Sequence, residues 1–479
     1  MKKVKRNPIF FTIILLGIIF FNCQSVSAYY QRETEVKVYT SGPNPSLYKS
    51  YKPYQSNYLG GADIDLGDFG NDGREEVVLG KGPGESPEVT ILDGNGNEIN
   101  SFLAYDSNFN RGINVAVCDL DNDGVSEIIT GTRYGGGPQV RTFDGYGQAK
   151  FSPGWFAYDQ NFRGGVNVAC GDLNGDGRNE IITGAGPGGG PHVRVFDRFG
   201  NFTGMGFFPF DQSFRGGVVV ATANFDGGVE DELITARQSY GQSQVVTYKT
   251  YPAQYVIGDF LGFPDTFLGG VNISGGDIDH DGLDEVVVFA NAGGGPHIRS
   301  FEGYGKYTGI QLFAYENDFR GGTNVALGDI DGGGLPEIFV TPNSKVLEGR
   351  TDLFKYIDID ISDQLLKYFE NGFKIGEYQI STGKISMPTP LGEFQIMNKS
   401  LDAYSAKYGL WMPWWMQITS AGHGLHGLPY WKLGGGGVYK EGENHLGLRV
   451  SHGCVRLPWA GAEKLYQWAA SGTTVIIHE

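Results

Sequence analysis

The stretch GDLNGDGRNEII, residues 171–182, decides the fold because variants of it recur through most of the chain. Five other stretches align with it: GDFGNDGREEVV at 67–78, CDLDNDGVSEII at 118–129, ANFDGGVEDELI at 223–234, GDIDHDGLDEVV at 276–287 and GDIDGGGLPEIF at 328–339. The second residues of the six stretches stand 51, 53, 52, 53 and 52 positions apart. A period near fifty in a chain rich in β-branched residues predicts the blades of a β-propeller.

A single unit reads as four short strands with glycine-rich turns between them. Around residues 166–211 these are GVNVACGDL, EIITG, HVRVFD and GFFPFD. Residues 35–54 resemble only the third and fourth strands, whereas the last unit stops after its first two. We therefore expect six blades, the last of them shared by the two ends of the repeat region. Seven blades is the alternative, if residues 29–60 supply more than half a blade.

The acidic turns have the donor pattern of a calcium site. Carboxylates at positions 1, 3 and 5 of a tight turn converge, glycine at position 6 permits the turn, and a carboxylate at position 9 completes the set. The turns resemble the FG-GAP repeats of integrin-like propellers, which implies that they hold structural Ca²⁺. The predicted ligands are, turn by turn, Asp68, Asp72 and Glu76; Asp119, Asp121, Asp123 and Glu127; Asp172, Asn174, Asp176 and Glu180; Asp277, Asp279, Asp281 and Glu285; and Asp329, Asp331 and Glu337.

Two other interpretations of the turns stay open. The turn that begins at Asn224 has lost the pattern and is expected to bind no metal. For the remaining turns, a metal-free turn is the alternative, because Asp and Gly favour tight turns without any cation.

The N-terminus predicts export. Four basic residues precede an apolar run over residues 9–21, and small residues follow at 26–28, as in a secretion signal. We therefore expect residues 1–28 to be removed and the chain to work in the cell wall, the periplasm or at the cell surface. An uncleaved membrane anchor is the alternative. The formal net charge of −17 excludes nucleic acid as a partner held by charge.

The cysteines limit the disulfide chemistry. Beyond the signal the chain has Cys118, Cys170 and Cys454, so at least one thiol is unpaired. Cys118 and Cys170 precede neighbouring acidic turns, and we interpret both as small core residues rather than as a disulfide.

A different pattern begins after the repeats. Residues 29–343 form the predicted propeller, 344–350 a linker, and 351–479 a mainly β domain. In that domain the alternation in YIDIDI and the Asn371-Gly372 turn predict a hairpin. A single helix is expected from Pro458 to about Ala470, with Gly472 ending it.

The stretch LRVSHGCVRLPW, residues 448–459, contains the chemistry of this domain. A free thiol has a pKa of about 8.5 and needs a base or positive surroundings to become a nucleophile. His452 and Arg456 flank Cys454 at two residues' distance and would share its side of an extended loop, and His426 lies upstream. Gly453 would let backbone N–H groups approach an oxyanion. Zinc would require more soft ligands nearby, so the residues favour a nucleophile.

The same region resembles a known catalytic domain. LHGLPYW and ENHLGLRVSHGCVRL, together with STGK and TPLGEF upstream, are similar to the catalytic domain of L,D-transpeptidases. The resemblance implies a β-sandwich, peptidoglycan stem peptides as substrate, no catalytic cofactor, and Cys454 as nucleophile. It also implies that the histidine of an HG pair is the base, which is His426, with His423 as the alternative.

The resemblance implies roles for the remaining residues and an activity. The N–H groups of Gly453 and Cys454 would hold the oxyanion, His452 and Arg456 would shape the electric field, Arg456 would meet a substrate carboxylate, and Ser451 would hydrogen-bond within the loop. Trp411, Trp414, Trp415 and Tyr430 would wall the substrate cleft, or simply form core. The implied reaction is 3→3 cross-linking through a thioacyl-enzyme. The alternatives are hydrolysis of the same bond, as in an L,D-carboxypeptidase, and an adhesion protein whose propeller binds a wall glycan or a protein.

Overall fold

The structure is a computed structural model that describes residues 32–343, 353–433 and 437–479, apart from residues 240, 354, 371 and 372. The predicted signal over residues 1–28 and the predicted linker over 344–350 lie outside the described residues. Within the described part, no helix combines the length and the hydropathy needed to cross a bilayer.

Residues up to 343 form strands that are mostly five to seven residues long. Their bounds are β1 Val36–Thr40, β2 Leu47–Tyr51, β3 Ala62–Gly67, β4 Glu76–Lys81, β5 Glu88–Leu92, β6 Glu98–Leu103, β7 Ile113–Cys118, β8 Glu127–Thr132, β9 Gln139–Phe143, β10 Trp155–Phe156, β11 Val166–Gly171, β12 Glu180–Ala185, β13 Val193–Phe196, β14 Phe202–Phe207, β15 Val218–Ala223, β16 Glu232–Arg237, β17 Gln244–Lys249, β18 Tyr255–Leu261, β19 Val271–Gly276, β20 Glu285–Ala290, β21 His297–Phe301, β22 Tyr307–Phe313, β23 Thr323–Gly328 and β24 Glu337–Pro342.

These strands form antiparallel four-stranded sheets that we number in chain order. Sheets 1 to 5 are β3–β6, β7–β10, β11–β14, β15–β18 and β19–β22. Sheet 6 has the order β2-β1-β24-β23, so strands from both ends of the repeat region complete it. The first strand of each of sheets 1 to 4 contacts the first strand of the next sheet, β19 of sheet 5 contacts β23 of sheet 6, and β23 contacts β3, which closes the sheets into a ring.

The core of the ring lies between neighbouring sheets. Ile91 of sheet 1 and Ile128 of sheet 2 belong to one buried cluster, and Ile182 of sheet 3 and Leu233 of sheet 4 to another. Strand alternation explains this arrangement, because every second side chain of a strand faces the adjoining sheet.

Cys118 and Cys170 form a disulfide, so their interpretation as unpaired core residues was wrong. Cys118 ends β7, and Cys170 lies in β11, the neighbouring inner strand. The two residues are 52 positions apart, about one repeat, and adjacent repeats place corresponding positions side by side, here with Cα atoms 6.5 Å apart. Cys454 is a free thiol.

The C-terminal domain contains two sheets and one α-helix within its described residues. Its elements are β25 Lys355–Asp360, β26 Leu365–Glu370, β27 Phe373–Gln379, β28 Gly392–Gln395, β29 Asn398–Ser405, β30 Leu410–Gln417, β31 Gly424–Gly427, β32 Tyr430–Lys432, β33 Val438–Lys440, a 3-10 turn at Glu443–His445, β34 Val455–Leu457, α1 Trp459–Trp468 and β35 Thr474–His478. One sheet has the order β27-β26-β25-β35-β28, and the other β33-β32-β30-β31-β34, with β29 paired to β30.

The two sheets and the helix share one apolar core. Ile357 of β25, Met416 of β30 and Leu465 of α1 belong to the same buried cluster. The predicted fold class, an all-β chain with a propeller followed by a sandwich-like domain with one helix, is thereby confirmed. Pro458 precedes the helix, and Gly472 adopts a φ of +89° just beyond it.

Candidate active site and acidic turns

Two parallel strands position the candidate nucleophile. β31 pairs with β34 so that Leu425 lies opposite Val455 and His426 opposite Arg456. Leu425 and Val455 are fully buried in the domain core. Because side chains alternate along a strand, His426 and Arg456 face away from that core, and Cys454 begins the same face just before β34.

The loop that contains Cys454 is held by a second segment, the STGK stretch at 381–384. Ser451 N donates to Thr382 O at 2.9 Å, and Lys384 N donates to Ser451 O at 3.0 Å. Within the loop, Ser451 Oγ donates to Cys454 O at 2.5 Å, and Gly453 N donates to Ser451 Oγ at 3.1 Å. The predicted oxyanion donor at Gly453 is therefore already engaged, whereas the prediction for the N–H of Cys454 is unaffected.

The loop is bent, not extended. Gly453 adopts a φ of +111°, a conformation that favours glycine. His452 is consequently exposed and stacks on Tyr408 with ring centroids 4.6 Å apart, whereas Arg456 is buried. His452 therefore does not share one side with Cys454 and Arg456 in the way an extended loop would require. Partial burial, followed by the charges of Lys384 and Arg456, lowers the pKa of His452.

The Cys454 thiol lies beside a backbone carbonyl that can accept its proton in a hydrogen bond. Its Sγ donates to Gly422 O at 3.9 Å. Burial raises the pKa of the thiol, and the Gly424 N–H and the Arg456 charge oppose that effect only in part. The nucleophile therefore requires a base to accept its proton.

His426 is buried and neutral. It packs against Trp415 with ring centroids 5.7 Å apart, and burial lowers its pKa to about 3. Its Nδ1 lies 2.7 Å from the carbonyl oxygen of Gly427, which can only accept a hydrogen bond. Nδ1 therefore carries the ring proton, and Nε2 is left as an unprotonated acceptor.

His423 lies on the other side of the same loop. Its Nδ1 is 2.9 Å from Thr419 Oγ1, and a Cβ placed on Gly453 would be only 3.1 Å from its Nε2. Within the described residues, neither imidazole makes a hydrogen bond to Cys454 Sγ. The structure thus places His423 beside Gly453 and His426 on the strand next to Arg456, and the choice of His426 stays a prediction.

Glu441, which the sequence did not single out, pairs with Arg456. Its two carboxylate oxygens lie 2.9 and 3.0 Å from Arg456 Nη1, and His445 Nδ1 is 3.2 Å from Glu441 Oε1. Only 7% of the Arg456 side chain and 14% of the Glu441 side chain are exposed. The predicted contact of Arg456 with a substrate carboxylate stays a prediction, and in this structure Arg456 Nη1 is paired with Glu441.

The four predicted cleft aromatics divide into two groups. Trp411 stacks on Tyr430 at 6.4 Å, and Tyr430 and Trp414 both pack on Trp459, at 5.7 and 5.3 Å. These residues form one aromatic patch, in which Trp411 and Trp414 are half-buried. Trp415 is buried against the imidazole of the candidate base and so helps to position it.

Each of the two parts of the chain matches a known protein family. Residues 354–477 match the family described as the L,D-transpeptidase catalytic domain. The C-terminal domain is therefore similar to L,D-transpeptidase catalytic domains. Residues 119–183 match the family described as the FG-GAP-like repeat.

Similar proteins match over the L,D-transpeptidase domain. The YkuD proteins of Bacillus licheniformis and Bacillus subtilis strain 168, whose names place them among the L,D-transpeptidases, are each 26% identical, over 25% and 28% of this chain. The chain spans 64% of the length of the first and 74% of the second.

Two solved structures show the same likeness. An L,D-transpeptidase from Stackebrandtia nassauensis is 28% identical, with a TM-score of 0.23, and the match covers 28% of this chain and 61% of that one. The catalytic domain of the Enterococcus faecium L,D-transpeptidase is also 28% identical, with a TM-score of 0.20, over 26% of this chain and 96% of that one.

The acidic turns of the FG-GAP-like part share one internal hydrogen bond. In all six turns the glutamate at position 9 accepts a hydrogen bond from the backbone N–H of position 2. The glutamates are Glu76, Glu127, Glu180, Glu232, Glu285 and Glu337. This bond closes each turn without any metal, so the glutamate has a structural role even in the turn at Asn224.

The turns differ in what their carboxylates face. In the second turn, Lys150 Nζ lies 3.5 Å from Asp121 and 3.7 Å from Asp123, and it also pairs with Glu127. In the fourth turn, Lys249 Nζ is held by three carboxylates, those of Asp226, Glu230 and Glu232. In both turns a lysine ammonium group of the chain thus lies where a metal cation would be expected.

In the third turn an amide closes the site. Asn174 Nδ2 donates to Glu180 Oε1 at 2.6 Å, which satisfies the second oxygen of that glutamate. Within the described residues, this turn, the first and the last do not bring three carboxylates together, whereas the second and fifth do.

The fifth turn fits a cation best. Carboxylate oxygens of Asp277, Asp279 and Glu285 all lie within 4.8 Å of one another. The Oδ1 of Asp279 is buried and has no hydrogen-bond partner among the described residues. Burial, followed by repulsion from Asp279, raises the pKa of Glu285 to about 8. Such a group of hard oxygens suits Ca²⁺.

Proposed function

We propose that the chain is an exported peptidoglycan L,D-transpeptidase that forms 3→3 cross-links through a thioacyl-enzyme on Cys454. The observation that carries the proposal is the placement of Cys454, just before β34, and of His426 on the adjacent β31, with its Nε2 as an unprotonated acceptor. Export rests on the basic and apolar segment over residues 1–28.

In the first half-reaction, His426 Nε2 accepts the thiol proton, and the thiolate of Cys454 attacks the carbonyl carbon of the third residue of a tetrapeptide stem. The tetrahedral oxyanion is held by the backbone N–H of Cys454, since that of Gly453 is bonded to Ser451. The peptide bond to the terminal D-Ala breaks, the imidazolium gives its proton to the leaving amine, and a thioester remains.

In the second half-reaction, the side-chain amine of the diamino acid in another stem attacks the thioester. His426 takes a proton from that amine, the new amide forms, and the released thiolate recovers the proton. Water in place of the amine would make the enzyme an L,D-carboxypeptidase with the same residues. In an adhesion protein, by contrast, neither half-reaction would occur.

The propeller has a structural calcium ion in this proposal. Asp277, Asp279, Asp281 and Glu285 would hold it in the fifth turn, and its charge would neutralise the repulsion among them. The second turn, with Lys150 among its carboxylates, fits a cation less well, and the fourth has its own ammonium.

The test is a product analysis with the mature protein and a disaccharide-tetrapeptide. Mass spectrometry should show a cross-linked dimer and one free D-Ala for each bond formed. Release of D-Ala without a dimer would assign hydrolysis, and neither product would favour the adhesion protein. Cys454→Ala should abolish both products, whereas His478→Gln, at an exposed histidine of the same domain, should change neither.

A further inference from the structure

Three exposed phenylalanines recur at the same place in the propeller. Phe156 and Phe313 end the outermost strands of sheets 2 and 5, and Phe208 directly follows the outermost strand of sheet 3. Their exposed fractions are 48, 42 and 53%. Large apolar side chains exposed at a repeated position point to contact with a ligand or partner. In sheets 1 and 4 the corresponding residues are Leu103 and Leu261.

In two of these rings one face is covered by a parallel imidazole. His192 stacks on Phe208 with centroids 4.5 Å apart and planes 13° apart, and His297 stacks on Phe313 at 4.3 Å and 10°. Gln139 occupies the corresponding position beside Phe156. Each stack presents a flat aromatic face next to a polar side chain.

Glycine brings the backbone close to each ring. A Cβ on Gly137 would lie 3.3 Å from Phe156 Cε1, one on Gly190 would lie 3.3 Å from Phe208 Cε1, and one on Gly295 would lie 3.9 Å from Phe313 Cε1. Because these positions lack side chains, the peptide groups beside the rings stay open to a ligand.

An arginine in a fixed orientation lies near each of these glycines: a Cβ on Gly137 would lie 3.7 Å from Arg163 Nη1, one on Gly295 would lie 3.8 Å from Arg320 Nη1, and one on Gly190 would lie 3.7 Å from Gln212 O, to which Arg215 donates. The Nη1 of each arginine donates to two backbone carbonyls of its own loop, at 2.5–2.6 Å and 2.8–3.0 Å. Within the described residues, their remaining guanidinium nitrogens make no hydrogen bond or ion pair. Three preoriented sets of donors therefore lie beside three exposed rings; the arginines are Arg163, Arg215 and Arg320.

The chemistry of these sites suits a sugar polymer. The apolar C–H face of a pyranose ring packs on an aromatic face, and its hydroxyl and amide groups bond with the neighbouring donors and peptide groups. A formal net charge of −17 disfavours a polyanionic ligand. Equivalent sites repeated along the ring of sheets match a ligand that itself repeats, since weak contacts then add.

We propose that Phe156, Phe208 and Phe313 stack on sugar rings of the peptidoglycan glycan strand and so hold the enzyme on its polymeric substrate. This assignment rests on the proposed wall function for the choice of glycan. The sites lie outside the L,D-transpeptidase domain, so binding and chemistry are separable.

The test measures binding of the full mature chain to purified peptidoglycan sacculi stripped of attached polymers, and to glycan strands freed of peptides. The triple variant Phe156→Ala, Phe208→Ala and Phe313→Ala should bind both probes about tenfold or more weakly. Its turnover of a soluble disaccharide-tetrapeptide should equal that of the parent protein, and its melting temperature should show that the propeller is folded.

A matched control uses the turn-tip aromatics of the same three sheets. Tyr146, Phe199 and Tyr304 are 84, 51 and 60% exposed, and their triple alanine variant should bind like the parent. An equal loss in both triples, no loss in the first, or binding to sacculi but not to peptide-free glycan would each overturn the proposal. Failure of the proposed function would appear separately, as absence of product from the soluble substrate.

Discussion

The carboxylate of Glu441 lies 2.9 Å from Nη1 of Arg456, two residues beyond the candidate nucleophile. Glu441 follows β33, in the stretch that separates His426 from the SHGC loop, and Arg456 lies in β34. The ion pair therefore fastens that stretch to the strand that holds Cys454 in place. It also neutralises a positive charge that would otherwise lower the pKa of the thiol further.

Glu441→Gln should leave the Arg456 guanidinium buried without its counter-charge. We expect the free energy of unfolding of the domain to fall by about 1–3 kcal/mol. The charge of Arg456 lowers the pKa of Cys454, and without Glu441 that charge is no longer neutralised. The pKa of the thiol should therefore fall, and its alkylation rate should rise at a lower pH than in the parent. The pH profile of iodoacetamide labelling measures this. Glu463→Gln, at an exposed helix position, is the control, and an unshifted profile in Glu441→Gln would contradict the pairing.

His426→Gln should lower kcat for the tetrapeptide substrate by about 10²–10⁴-fold, the usual contribution of a positioned general base. His423→Gln keeps a polar side chain near Gly453 and should retain most of the activity. The comparison discriminates between the two imidazoles that border the loop. The opposite order of effects would identify His423 as the base.

The free energy of unfolding of the C-terminal domain should decrease as the pH falls from about 6.5 to about 3. The folded pKa of His426, about 3, lies below the value of about 6.5 for an unfolded chain, so the unfolded chain binds the proton first. The expected slope is up to about 1.4 kcal/mol per pH unit. Urea titrations followed by tryptophan fluorescence report on this domain, which has six of the seven tryptophans. His426→Gln should remove this part of the slope; an identical slope would show that the imidazole titrates normally.

Calcium should raise the melting temperature of the propeller, and Asp279→Asn should remove most of that effect. Lys150→Gln should add one site by calorimetry, because it frees the carboxylates of the second turn from their ammonium. Lys249→Gln is the matched control, since the fourth turn has Asn224 and Gly228 where a full set has acids. A stoichiometry that does not change in Lys150→Gln would contradict the interpretation of Lys150 as an internal cation.

The Cys118–Cys170 disulfide should stabilise the propeller by about 2–4 kcal/mol, because it joins neighbouring inner strands. Cys170→Ser should unfold at correspondingly lower denaturant concentration. Native alkylation of the parent protein should modify Cys454 and spare the other two cysteines. Modification of all three without reductant would show that the bond is absent.

The repeat period made the ring of sheets predictable, because each turn stands alone in the sequence as a recognisable unit. The disulfide was within reach of the same argument, since Cys118 and Cys170 are about one repeat apart and adjacent repeats are neighbours in space. The opposite expectation arose because Cys118 stands one residue before the first aspartate of its turn and Cys170 two, so that the two cysteines are one residue out of phase in their repeats.

The lysines of the second and fourth turns could not be predicted from the turns themselves. Lys150 lies 23 residues beyond its partner Glu127, and Lys249 lies 17 residues beyond its partner Glu232. Glu441 belongs to no motif, and only the folding of its stretch onto β34 reveals its partner. In the nucleophile loop the motif identified the residues, whereas the hydrogen bonds of Ser451 determined which N–H groups stay available.

The closure of sheet 6 has a mechanical consequence if the protein is held on a wall as proposed. β1 and β24 are antiparallel, with Lys37 opposite Val340 and Thr40 opposite Glu337. The chain therefore enters β1 and leaves β24 at the same end of the pair. A tension applied between the two ends of the propeller would load the hydrogen bonds one after another, as in a zipper, and would open the ring at low force. In a parallel pair, the same tension would load all the hydrogen bonds at once, in shear, and a higher force would be needed to separate the strands.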